Sequence, residues 1–154
     1  MQNVNYQQQS VAGKNGVELI VALYDGMIRF LNRAIVATES GNVQERRVAI
    51  KRVLDILTHL QSRLRMDVGG PAKTLSEFYA AIFALCLEGS RLSSPERFRK
   101  AIECILPVRE AWQQVAQDPE VRRQFAAAPT SAAVLAAPPK QSGEEKTLAS
   151  RWTA

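Results

Sequence analysis

The side chains best able to do chemistry are few and far apart in the sequence. His59 is the only histidine, and no set of cysteines or carboxylates stands at ligand spacing beside it, so a metal centre finds no support. Glu103 and Glu110 share a helical face at i, i+7. General acid–base work needs a converging partner, and no histidine, cysteine or further carboxylate supplies one. Gly69-Gly70-Pro71 has the glycines of a phosphate loop without the preceding strand or the Lys-Ser/Thr pair that holds phosphate and metal. Cys86 and Cys104 sit inside apolar runs, where a free thiol behaves as a small hydrophobe, and the expectation is two reduced core cysteines. No catalytic residue, metal site or cofactor is therefore expected, and an enzyme is disfavoured.

Binding chemistry is better represented. The run 78-FYAAIFALCL-87 carries no charge over ten residues. A helix apolar on every side has to be covered, either by neighbouring helices or by a partner's amphipathic helix laid into a groove. Leu19, Ala22 and Phe30 widen the apolar surface of an earlier segment in the same sense. A basic run, Arg46, Arg47, Lys51 and Arg52, raises nucleic-acid phosphate as a rival ligand. No aromatic residue is interleaved with it for base stacking, so a solvated helix face is the commoner explanation and nucleic acid is not expected as the partner.

The elements that must carry these residues are all helical. Ile20, Leu23, Tyr24, Met27, Leu31, Ala34 and Ile35 form one stripe and Asp25, Arg29 and Asn32 lie opposite, so a helix passes straight through Asp25-Gly26, a dipeptide that elsewhere marks a turn. Asp25 and Arg29 stand at ion-pair spacing, and Ala22 with Gly26 leaves a shallow notch for a close approach. Asn15 or Gly16 can cap this helix. Ser40-Gly41-Asn42 ends it, and a second helix spans about Gln44 to Arg65, with Val53, Ile56, Leu57, Leu60 and Leu64 inward. Pro71 starts a third, and a connector 89-GSRLSS-94 leads to Ser94-Pro95, the cap and first residue of a fourth. Its inward residues are Phe98, Ile102, Ile105, Ala111, Trp112 and Val115, and Pro107 should kink it.

At 154 residues the chain has the length of one domain, and five of its seven prolines lie at or beyond Pro107. The expected organisation is an N-terminal arm (1–16), a four-helix domain (17–117), and a short fifth helix from Asp118-Pro119 toward Ala128 that passes into a disordered tail (118–154). The fold class is all-α, an antiparallel up-down four-helix bundle. The net charge of +5 permits an acidic partner without requiring nucleic acid. No signal peptide or membrane-length apolar run is present, which points to the cytosol. Trp152, near the C-terminus, is a candidate docking anchor.

In order and spacing, several of these residues resemble the flagellin-specific export chaperones of the FliS family. The pieces are Tyr6 with Ser10-Val11, Glu18-Leu19-Ile20, the Leu23-Tyr24-Asp25-Gly26 signature, Ala34-Ile35, Gly69-Gly70, Phe78-Tyr79 where the family favours Leu-Tyr, and Val108-Arg109-Glu110-Ala111-Trp112. Departures are Asn15-Gly16-Val17, where the family favours a small residue and proline, Gly89-Ser90 in place of Ala-Asn, and Pro107. The resemblance implies a cytosolic bundle that holds the C-terminal segment of flagellin and prevents premature polymerisation. It implies further contact with the flagellar export apparatus, an arm around Tyr6 that covers the empty groove, and a monomer or homodimer. The residues it points to for partner binding are Tyr6, Ile20, Tyr24, Met27, Phe78, Ile82 and Trp112.

Overall fold

The structure, a computed structural model, describes residues 16–64, 70–120 and 122–123. Four helices, α1 (Gly16–Glu39), α2 (Val43–Ser62), α3 (Pro71–Arg91) and α4 (Pro95–Gln117), account for most of them, and no strand occurs among the described residues. None of these helices is long and apolar enough to cross a membrane. Tyr6 and the remainder of the arm, the tail beyond Arg123 with Trp152, and Gly69 lie outside the described residues.

Each helix packs on the helices before and after it, and α1 closes the ring by packing on α4. Cross-helix contacts fix the directions. Asp25 meets Arg109 and Glu39 meets Arg99, so α1 and α4 run antiparallel. Gln61 meets Ser76 and Arg46 meets Ser93, which sets α2 against α3 in the same way. The result is the up-down bundle that the helical periods and short connectors predict.

The connectors have local causes. Gly41 takes φ +74°, and Asn42 caps α2 by accepting the Glu45 N–H at 3.0 Å. Pro71 opens α3 after Gly70 at φ +60°. At the far end of α3, Ser93 adopts φ +49° while its N–H bonds Ser90 and that of Ser94 bonds Gly89, a double turn that ordinarily uses glycine. The Arg46 guanidinium donates to the Ser93 hydroxyl at 2.9 Å and brings a positive charge to the carbonyl end of α3. The 89–94 connector is thereby shorter than expected, because α3 continues through Gly89 to Arg91.

Inside the ring, the apolar stripe of α1 is buried at Ile20, Tyr24, Met27, Leu31 and Ala34, against Val53, Leu57 and Leu60 of α2, Ile82 and Cys86 of α3, and Phe98, Ile105 and Trp112 of α4. Two glycines admit close approaches. A Cβ on Gly26 would stand 3.3 Å from Ile56 Cδ1, so α2 fills the notch in α1. A Cβ on Gly89 would lie 2.6 Å from the Phe98 ring, which is fully buried and presses on the α3 backbone. That contact is the physical reason for glycine at this departure from the family pattern. Helix α4 runs unbroken through Pro107, whose position is exposed.

Candidate partner-binding surfaces

The residues singled out for binding divide sharply by depth. Ile20, Tyr24, Met27, Ile82 and Trp112 are at most 1% exposed. In this conformation they are interior residues, and a partner meets them only if helices part. Phe78 is half-buried, with its ring 5.6 Å from that of Tyr79, and it has a face toward solvent.

Beneath Phe78 lies a polar contact that spans the bundle diagonally. The Tyr24 hydroxyl of α1 and the Tyr79 hydroxyl of α3 stand 2.7 Å apart, with the rings edge to face. Burial pushes the Tyr24 phenol up to about 12, although Tyr79 and Trp112 favour its ionised form, and burial with the neighbouring Tyr24 raises Tyr79 further. Both stay neutral near pH 7, each able to donate or accept. Trp112 Nε1 is buried beside Tyr24 and, among the described residues, makes no hydrogen bond of ordinary geometry. In the sequence Tyr79 stands out only as the second residue of Phe78-Tyr79. Its role could have been read from its pairing with Tyr24, since two tyrosines on apolar stripes must satisfy their hydroxyls somewhere.

The exterior of α3 is the part that sequence reasoning saw as a run but could not orient. Ser76 faces α2 through Gln61, and Glu88 faces α4 through its 3.0 Å pair with Arg97. Heptad spacing then puts Phe83 on the α2 side with Ser76, and Phe78 and Leu85 on the α4 side, all half-buried. Between them Ala80, Ala81 and Ala84 are exposed, and Leu87 is 48% exposed. From Phe78 to Leu87 this helix presents an uncharged strip about 15 Å long, with alanines at its centre where a second helix backbone could approach. Leu54 on α2 and Val108 and Val115 on α4 extend its margins as half-buried apolar residues.

Elsewhere the seams are polar. Asp25 pairs with Arg109 of α4 at 2.8 and 3.3 Å rather than with Arg29 of its own helix, which corrects the expected i, i+4 pair. Glu39–Arg99 at 2.9 Å bridges the same α1–α4 seam, and Glu18 pairs at 3.8 Å with Arg122, just beyond the end of α4. Of the basic run of α2, Arg46 is buried against Ser93, whereas Arg47, Lys51 and Arg52 are exposed, with Lys51 3.1 Å from Asp55. Glu103 and Glu110 are both exposed, beside Lys100 and Arg109 respectively. Asp55, one turn before His59, is the carboxylate that Lys51 holds, and among the described residues no three His, Cys, Asp or Glu side chains gather as a metal site. Cys86 is buried, with its thiol pushed up to about 12 by desolvation, and Cys104 is half-buried; neither is in a disulfide.

Comparison with known proteins is consistent with this helical architecture. Residues 1–119 match the family described as "Flagellar protein FliS". The chain is 29% identical over 111 residues to the flagellar secretion chaperone FliS of Campylobacter jejuni, an alignment covering 71% of this chain and 87% of that one. It is 28% identical over 99 residues to the protein of the same name from Vibrio cholerae, covering 64% and 73%. A match over more than two thirds of its length, with the signature residues on the helices that build the core, makes this chain a member of the FliS family of flagellar proteins.

Proposed function

We propose that this protein is a non-enzymatic chaperone of flagellar secretion, which holds the C-terminal segment of flagellin in the cytosol and keeps it from polymerising before export. One observation carries the reading: the uncharged strip on α3, centred on Ala80, Ala81 and Ala84 and flanked by Phe78, Phe83 and Leu87, in a chain of this family. Large exposed apolar strips on small proteins mark interaction sites, and alanines let a helix settle close. A flagellin segment that folds on this strip would bury apolar area at an ordering cost of a few kcal/mol.

Within this reading Phe78 contacts the partner directly and Tyr6 belongs to an arm that covers the strip when it is empty. Ile20, Tyr24, Met27 and Trp112 form the floor on which α3 rests, and Ile82 is the α3 side chain seated on it; all five act by holding the strip in place. The names of the relatives from Campylobacter jejuni and Vibrio cholerae, secretion chaperones both, support a flagellar export substrate as the occupant. The export apparatus would then receive the complex.

Calorimetric titration with the C-terminal segment of the same organism's flagellin tests the proposal. The expected result is stoichiometric, salt-tolerant binding with a negative heat-capacity change, abolished by Ala84→Glu at unchanged melting temperature. Absence of heat at micromolar concentration would sink it, and RNA affinity that collapses with salt would turn attention to the basic residues of α2.

A further inference from the structure

On the opposite side of the bundle from α3, α1 exposes a second apolar surface with a different character. Val36 is 65% exposed, the most exposed large hydrophobe among the described residues, and with Ile28 and Ala37 it lines an open depression of about 740 Å³ that ends near Glu45 of α2. Along it stand Arg29 and Arg33, one turn apart. Their guanidinium carbons lie 5.1 and 5.6 Å from the centre of the Phe30 ring. Neither pairs with a carboxylate among the described residues, whereas Arg97, Arg99, Arg109 and Arg122 all do. Two cations held in place on an aromatic ring beside exposed aliphatic surface are suited to a segment that sets adjacent carboxylates beside apolar anchors.

The chain contains one, 142-SGEEKTLASRW-152, beyond the stretch that the family match covers; its Glu144 and Glu145 are adjacent, and Lys146 and Arg151 make the segment neutral as a whole. Ser142 followed by Glu145 is the sequence signature of a helix start. In a helix begun there, Glu145, Leu148 and Trp152 fall on one stripe at i, i+3, i+7, with Glu144 beside it. Reach is ample. Arg122 bonds near the start of α1 at Glu18, about 17 Å along the helix from Arg29. The 20 residues from 124 to 143 can span up to ~70 Å. A tether of this size gives an effective concentration on the order of millimolar, so weak intrinsic affinity suffices.

We propose that residues 144–152 dock in cis along the outward face of α1, with Glu144 and Glu145 on Arg29 and Arg33, Leu148 and Trp152 over Val36 and Ala37, and Arg151 toward Glu45. The tail then shields the apolar surface of α1 and leaves α3 free, so its occupancy is independent of the flagellin reading.

The test uses the full chain labelled with fluorotryptophan and fluorine NMR. The chain has two tryptophans, Trp112 in the core and Trp152, and Trp152→Phe assigns the lines. The expected result is a Trp152 line displaced from its urea-unfolded position and broadened severalfold less by a soluble paramagnet than in urea. Arg29→Glu with Arg33→Glu should return it to the free position, and adding Glu144→Arg with Glu145→Arg should restore it, with the Trp112 line constant throughout as the folding control. A free, fully accessible Trp152 in the parent chain overturns the proposal, as does a displaced line indifferent to the arginines or a release that the charge swap does not reverse. A line that shifts on dilution assigns the contact to a second copy and overturns docking in cis.

Discussion

Among the described residues, the hydroxyls of Tyr24 and Tyr79 form the one side-chain hydrogen bond in the deep interior that joins helices across the diagonal of the ring. Each is the other's partner, which makes single and double substitutions differ in kind. Tyr24→Phe leaves the Tyr79 hydroxyl buried and unsatisfied, at a cost of about 1–3 kcal/mol, and Tyr79→Phe does the same to Tyr24. Replacing both removes the orphan, so the double variant should lose less than the sum of the two, by about 1 kcal/mol or more in a denaturant-unfolding cycle. Additive losses would show that the pair is not coupled. Truncation is a different experiment. Tyr24→Ala opens a cavity in a fully buried site and costs about 3–5 kcal/mol, in the range measured for large aromatics. Binding lost in that variant would report stability before it reported contact, so Phe78 and Ala84, which have surface, are the informative positions for partner binding.

Among the elements, α4 carries the one feature that local rules oppose. Pro107 lacks the N–H that would bond the Glu103 carbonyl, and a proline inside a helix costs roughly 3 kcal/mol. The helix nevertheless runs from Pro95 to Gln117, with Pro107 on its wet side, where water can take the freed carbonyl. Pro107→Ala should therefore raise stability by about 1–3 kcal/mol, read as a higher denaturant midpoint at unchanged slope; no gain would mean that the bundle needs the bend a proline imposes. The other elements were plain in the sequence because their signals are local. Stripes of period 3.6, the Ser94-Pro95 start and the glycine of Ser40-Gly41-Asn42 act within a few residues. Boundaries slipped where the cause was tertiary. Helix α3 runs past Gly89 because Phe98 packs there, and Arg46 turns inward because Ser93 receives it. The ten uncharged residues of α3 were visible as a run, but which of them face out follows from the Gln61–Ser76 and Glu88–Arg97 contacts, and these cannot be read along one helix.

For the molecule as a whole, the buried tyrosine pair ties ionisation to unfolding. Tyr24 titrates at about 12 in the folded chain against an ordinary 10, and Tyr79 is raised as well, in both cases chiefly because the phenolate would be buried. Below pH 10 the two hydroxyls are protonated in folded and unfolded chains alike, and their contribution to stability is complete. Between pH 10 and about 12 the unfolded chain sheds protons that the folded chain retains, so stability falls as pH rises, by roughly 1.4 kcal/mol per pH unit for each tyrosine. A domain of this size has only about 5–15 kcal/mol in reserve. Because the pair sits where α1 and α3 face each other across the core, with Trp112 of α4 beside it, no single helix can fray to release it. The chain has three tyrosines, so in a Tyr6→Phe background these two alone report. Their tyrosinate absorbance should then rise in one transition coincident with loss of helical circular dichroism, and it should not precede it. Absorbance that rises while helicity is intact would mean that solvent reaches the centre of the folded bundle, and that the floor beneath the α3 strip opens on its own.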